Sequence, residues 1–83
     1  MKQLEKECAA ARIQNYLDDH EVSTKRFAFS IGRSQHAVEG LLAGESTATI
    51  GAPGLRECAR VMGISYEKLI SPLTAADYGG VEA

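Results

Sequence analysis

The sequence has few of the residues that build disulfide frameworks and metal sites. Among 83 residues there are two cysteines, two histidines, two prolines and no tryptophan. Two cysteines do not make a disulfide framework, and we expect Cys8 and Cys58 to be buried thiols that pack as small apolar groups. Together with His20 and His36 they do not have the spacing of a zinc site, so we expect no metal and no other cofactor.

Long apolar runs and catalytic motifs are also missing. No apolar stretch approaches the ~20 residues that a transmembrane helix needs, and the N-terminal residues mix charges without the apolar core of a signal peptide. There is no phosphate-binding glycine loop and no nucleophile elbow. We therefore expect a cytoplasmic protein that is not an enzyme, with no membrane partner and no evident small-molecule ligand.

An excess of basic residues, which is usual in nucleic-acid-binding proteins, is absent. Nine lysines and arginines stand against eleven acidic residues, which gives a net charge of −2. The exception is the segment 23–49, where three basic residues oppose the acidic Glu39 and Glu45. This local balance permits a contact with DNA without requiring it.

Apolar residues recur at helical spacing and no strand pattern is present, so the sequence predicts an all-α domain of five helices. The first helix is predicted over residues 2–19. Its inner face consists of Ala9, Ala10, Ile13, Tyr16 and Leu17. A second, weaker stripe on the opposite side consists of Leu4, Cys8 and Ala11. Two interpretations of this stripe are open: the first turns fray and it has no role, or it contacts a second subunit.

Serines and glycines mark the ends of the next two helices. Ser23 and Ser34 are predicted N-caps, and Gly32 and Gly44 follow the two helices that these serines begin. The predicted inner residues are Phe27, Ala28 and Ile31 in the second helix and Val38, Leu41 and Leu42 in the third.

The last part of the chain predicts two further helices. Ile50 ends a polar loop and is expected in the core, and Pro53 suits the first position of the fourth helix. Gly63 ends that helix, Ser65 caps the fifth, and Pro72 terminates it. The predicted inner residues are Leu55, Cys58, Ala59 and Met62, followed by a buried Ile64.

The spacing of Ala28, Gly32 and Val38, at i, i+4 and i+10, predicts a helix-turn-helix. A small residue at Ala28 lets two crossed helices approach closely, and glycine accepts the backbone angles of the sharp turn between them. Val38 then anchors the third helix on the second. Such a pair leaves the outer face of the third helix free to enter a major groove.

The run from Val22 to Gly44, VSTKRFAFSIGRSQHAVEGLLAG, resembles the helix-turn-helix of the lambda-repressor-like family of phage repressors, Cro proteins and XRE regulators. The similarity continues in residues 55–70, LRECARVMGISYEKLI. The resemblance implies a compact five-helix DNA-binding domain over residues 1–72, which binds double-stranded DNA as a homodimer on a palindromic operator and acts as a repressor at the bacterial nucleoid. Residues 73–83 form a C-terminal tail that is either flexible or in contact with the second subunit.

The resemblance makes the third helix the recognition helix. The residues expected to contact base edges are Arg33, Gln35, His36 and Glu39. Glutamine can pair with adenine, a carboxylate can accept from cytosine, and arginine can reach guanine or phosphate. The alternative is that these side chains are ordinary solvated surface.

The small residues of the third helix are expected on the same outer side. With Val38 inward, His36, Gly40 and Ala43 fall opposite at about 100° per residue. Gly40 then either lets the helix sit deep in the groove or is a tolerated residue that costs ~1 kcal/mol relative to alanine.

Phosphate contacts are expected at two places. Ser23, Thr24, Lys25 and Arg26 surround the N-terminus of the second helix, where backbone N–H groups and the helix dipole favour an anion. Thr24 stands where the family often has glutamine, and its shorter side chain can make only the phosphate contact. The second cluster is Ser46 and Thr47, with Thr49, unless these are simply polar loop residues.

Phe29 is expected on the outer side of the second helix, either as part of a contact surface or covered by the first helix or the tail. Together with the acidic balance and the Leu4 stripe, it leaves a second function open. In that case the chain is a protein-binding adaptor that keeps the helix-turn-helix as a scaffold and does not bind DNA.

Overall fold

The structure is a computed structural model of the chain, and it describes residues 3–44 and 50–74. In these ranges the chain is all-helical and has no strand. The helices are α1 (Gln3–His20), α2 (Thr24–Ile31), α3 (Gln35–Leu42), α4 (Ala52–Met62) and α5 (Tyr66–Ile70). Within the described ranges the predicted all-α class and the five predicted helices in their order are confirmed, and each predicted end lies within one residue of the observed one. No helix of the described part is both long and apolar enough to cross a bilayer.

Three of the helices begin at a serine whose hydroxyl oxygen accepts a backbone N–H from the first turn. The pairs are Ser23 with Arg26, Ser34 with Ala37 and Ser65 with Lys68, at 3.1, 3.1 and 3.0 Å. Each bond satisfies one of the four N–H groups that lack a partner at the start of a helix. All three predicted serine caps are therefore confirmed.

The turn after α2 requires glycine. Gly32 has a φ of 71°, in the left-handed region where a side chain is strained, and Gly44 and Gly63 share this conformation after α3 and α4. The N–H of Arg33 then donates to the carbonyl of Ala28 at 3.0 Å, which closes the end of α2.

The core draws on all five helices. α1 contacts α3, α4 and α5, and α2 contacts α3 and α4. The largest fully buried side chains are Ile13, Phe27, Val38, Ile50, Leu55, Cys58 and Leu69. The predicted burial of Ile50 is confirmed, whereas Leu42, Met62 and Ile64 are only half-buried at the edge of the core.

The second stripe on α1 is not a continuous exposed surface. Cys8 is buried, Ala11 is half-buried, and only Leu4, at 65% exposure, is open to solvent. The reason is that α1 contacts three helices, so more than one of its sides is covered. The prediction of free, buried thiols at Cys8 and Cys58 is confirmed.

The same helix buries a charge. Arg12 is 5% exposed, and its guanidinium donates to the carbonyls of Leu69 at 3.0 Å, Pro72 at 2.9 Å and Ser71. These carbonyls lie at the end of α5 and just after it. α1 therefore fixes the position where the chain leaves the helical core.

Candidate nucleic-acid interface

The centre of the candidate interface is the pair α2 and α3 with the three residues 32–34 between them. The two helices contact one another, and the small Ala28 is buried, as the predicted motif requires. Val38 is fully buried in the same core cluster as Phe27 and Ile31. The chain therefore changes direction at Gly32 and packs α3 back against α2.

One side of α3 faces solvent. The exposed residues of this helix and its C-cap are Gln35, His36, Glu39 and Ala43. At about 100° per residue they span an arc of about 100°. Three of the four residues predicted to contact bases lie on this exposed face.

The position of Gly40 corrects a prediction. We expected it on the outer face opposite Val38, and it is buried. Because α3 contacts both α1 and α2, its buried side is wide and is centred near Leu41 rather than Val38. Gly40 falls at one edge of that side, so it does not form a low surface for a groove.

Two of the exposed side chains are joined. The amide Nε2 of Gln35 donates a hydrogen bond to Oε2 of Glu39 at 2.8 Å. The two residues are one helical turn apart, where side chains on a helix surface meet. This bond fixes the amide with its nitrogen towards Glu39 and orients both groups on the exposed face.

Arg33 lies in the turn and is exposed, but its guanidinium leans towards α4. Nη2 and Cζ are 3.4 and 3.5 Å from the point that a Cβ on Gly54 would occupy. The cation also lowers the pKa of the nearby Cys58 thiol, although burial outweighs it and raises that pKa to about 12. Arg33 is thus placed between the turn and the first turn of α4.

The predicted phosphate residues of α2 lie together. Ser23, Lys25 and Arg26 are exposed and line one open depression with Phe29 and Ser30. Thr24 is half-buried beside them. Ser46 and Thr47, with Thr49, lie outside the described residues.

Phe29 is 87% exposed, the highest value among the large apolar side chains of the described part. Coverage by α1, one of the expectations for this residue, is therefore wrong. Its position about 150° from the inner face of α2 was the signal for exposure.

Ser30 was not predicted as part of this surface. Its hydroxyl donates to the carbonyl of Arg26 at 3.1 Å, one turn before it. The i, i+4 relation to Arg26 is the sequence signal that could have placed it there.

Other chemistry has little support in the described residues. They contain no group of three or more His, Cys, Asp or Glu that could hold a metal ion. Because burial raises the pKa of Cys58 far above neutral pH, its thiol is protonated and is not a nucleophile.

Comparison with protein-family models, with curated proteins and with solved structures found no match.

Proposed function

We propose that this chain is a sequence-specific transcription regulator of the lambda-repressor-like type. In this proposal it binds double-stranded DNA as a homodimer on a palindromic operator and represses transcription. The observation that carries the proposal is the short turn at Gly32 between two packed helices, the second of which exposes Gln35, His36 and Glu39.

The size of α3 suits a major groove. An α-helix with its side chains is about 10–12 Å across, which matches the major-groove width of about 12 Å. The exposed arc carries polar side chains at its start, and residues near the N-terminus of a recognition helix are those that contact base edges. Ala43, at the C-terminal end of the exposed face, is small and does not obstruct an approach.

The start of α2 suits a phosphate. Lys25 and Arg26 add two positive charges to the positive end of the helix dipole, and both are exposed. Such contacts place a protein on the duplex without distinguishing its sequence.

The overall charge of −2 does not prevent this binding, because the charges are unevenly distributed. Exposed acidic residues cluster at the end of α1, at Asp18, Asp19 and Glu21. In contrast, α2, α3 and the turn carry three cations against the single carboxylate of Glu39. Local charge, rather than the sum over the chain, sets the field at a contact surface.

Selection of bound duplex from a random pool at low salt tests the proposal. We expect enrichment of a palindromic sequence whose half-sites lie ~34 Å apart or a multiple of that distance. Gln35→Ala should relax the sequence preference of the selected site. The matched control is Gln14→Ala, which removes another exposed glutamine, one that bonds to Asp18 on α1. A wild-type protein that enriches no sequence contradicts the proposal. A Gln35→Ala protein with an unchanged site contradicts only the role of Gln35 at the base edges.

Phe29 supports a second candidate function. A large apolar side chain at 87% exposure between two cations favours a protein-binding adaptor whose partner is apolar and acidic. In that case wild-type protein does not retard duplex DNA at low salt. An acidic peptide with an aromatic residue would bind instead, and Phe29→Ser would abolish that binding.

A further inference from the structure

The hydrogen bond between Gln35 and Glu39 on α3 leaves some of their polar atoms available to a binding partner. Because Nε2 of Gln35 donates to Oε2 of Glu39, Oε1 of Gln35 and Oε1 of Glu39 stay available as acceptors, and no hydrogen bond within the described residues occupies either atom. An ionised carboxylate has no hydrogen to donate. On the exposed face of α3 the carboxylate of Glu39 therefore presents a free acceptor, next to the second N–H and the carbonyl oxygen of the Gln35 amide.

We propose, resting on the DNA-binding function above, that Glu39 selects a cytosine in each half-site and that Gln35 is a positioning residue for it. In the major groove only cytosine N4 and adenine N6 are donors, whereas guanine and thymine present acceptors that repel a carboxylate. Adenine also carries the acceptor N7 beside its amine. Cytosine has no such acceptor and is the base that an acidic side chain suits best.

The role of Gln35 follows from the geometry of a flexible side chain. A glutamate on an exposed helix has several rotamers, and its charge is repelled by the phosphates on both sides of the groove. A hydrogen bond of 2.8 Å to the preceding turn selects one orientation of the carboxylate. The acceptor is then held in place before the base arrives, which reduces the entropy lost on binding.

The chain contains a matched pair outside this surface. Gln14 donates to Asp18 at 3.0 Å on α1, with the same four-residue spacing and exposed hydrogen-bonding groups. A glutamine–carboxylate pair alone therefore carries no specificity. The proposal depends on the position of the Gln35–Glu39 pair beside the turn that follows α2.

The test combines protein variants with base substitutions in the selected duplex. We expect wild-type protein to select cytosine at one position of each half-site and to bind about tenfold more weakly when that C·G pair becomes T·A. Glu39→Ala should bind both duplexes within about twofold of one another, since the group that distinguishes them is gone. Asp18→Asn, the control in the matched pair, should keep the wild-type tenfold difference.

Gln35→Ala tests the positioning role separately. It should reduce the cytosine preference to about threefold, intermediate between wild type and Glu39→Ala. An unchanged preference in this variant overturns the positioning role.

Two failures are distinguishable. If wild-type protein selects a site but Glu39→Ala keeps the same preference at every position, the assignment of Glu39 is wrong and the DNA-binding function stands. If wild-type protein binds no duplex at low salt, the proposed function is wrong and this inference is wrong with it. Thermal unfolding of each variant confirms that the exposed substitutions leave the fold intact.

Discussion

Arg12 is a cation that is almost completely withdrawn from solvent, a costly arrangement unless its donors are satisfied. Its guanidinium meets three carbonyls, of Leu69, Ser71 and Pro72, at and beyond the end of α5. Carbonyls at a helix C-terminus lack partners within the helix and carry the negative end of its dipole. The buried charge therefore joins α1 to the end of α5, although the bonded residues are 57 or more positions apart in sequence.

We expect Arg12→Ala to lower the free energy of unfolding by about 2–4 kcal/mol, because it removes both the donors and the packed side-chain stem. Arg60→Ala is the matched control. Arg60 is exposed and pairs with Glu57 at 2.7 Å on the surface of α4, so its loss should cost less than about 1 kcal/mol. Urea unfolding of both variants measures the difference, and equal losses would contradict the role given to Arg12.

Position 54 requires glycine because a neighbouring side chain leaves no room for a Cβ, and not because of its backbone angles. A Cβ at this position would lie 2.7 Å from Cγ2 of Ile50, which is fully buried. Alanine favours a helix over glycine by ~1 kcal/mol, but overpacking costs about 1–3 kcal/mol, and a methyl group this close cannot be accommodated without a shift. We therefore expect Gly54→Ala to destabilise the fold in chemical unfolding.

The compensating change is Ile50→Leu, which moves the branch away from Cβ and removes the clashing methyl group. Together the two substitutions should unfold at a higher urea concentration than Gly54→Ala alone. Additive losses in the double variant would show that the contact with Ile50 is not the cause.

Cys58 makes stability depend on alkaline pH. Burial raises the pKa of its thiol from 9.0 to about 12, and the Arg33 cation lowers it by less. Between pH 9 and pH 12 the thiol keeps its proton in the folded state and loses it in the unfolded state. This contribution is therefore complete below pH 9 and is lost as the pH rises towards 12.

We expect the difference in unfolding free energy between wild type and Cys58→Ala to shrink by roughly 2 kcal/mol from pH 8 to pH 10.5, at 1.36 kcal/mol per pKa unit. Both proteins have the same tyrosines and lysines, so the titration of these residues does not contribute to the difference in unfolding free energy. A constant difference over this range would contradict burial of an un-ionised thiol.

At the scale of elements, the ends of helices were predictable and their orientation was less so. Serine caps and left-handed glycines act within four residues, and the sequence placed each of them correctly. The rotation of α3 depends on its contact with α1, from which it is separated in sequence by α2. That contact buried Gly40, and no periodicity within α3 alone contains this information.

The turn between α2 and α3 offers a test of backbone strain without a steric contribution. At Gly32 a Cβ would meet nothing within 4 Å, so its φ of +71° is the main cost of a substitution. We expect Gly32→Ala to destabilise the fold by about 1 kcal/mol, and Gly32→Asn by less because asparagine tolerates this region. In thermal unfolding, wild type should be the most stable, followed by Gly32→Asn and then Gly32→Ala. An alanine variant as stable as wild type would contradict this prediction.

At the scale of the molecule, local patterns predicted the class of fold, the exposed face of α2 and the exposed face of α3 apart from Gly40. They did not predict the contact from Arg12 to the end of α5, because a charged residue within an apolar stripe has no local partner in the sequence. Nor did they place the guanidinium of Arg33 beside Gly54, which requires α4 to pack near the turn. Interactions between distant segments define both positions.

The proposed interface also makes a prediction for the whole molecule in solution. Each cation that neutralises a phosphate releases a counterion, so the logarithm of the binding constant falls with the logarithm of salt concentration by about 0.9 per contact. Lys25→Ala should therefore reduce the slope by about 1 per subunit and weaken binding to all duplexes alike. Lys68→Ala, which removes an exposed cation on α5, should leave the slope unchanged. If both variants keep the wild-type slope, the N-terminus of α2 does not contact phosphate, and the DNA must approach this protein from another side.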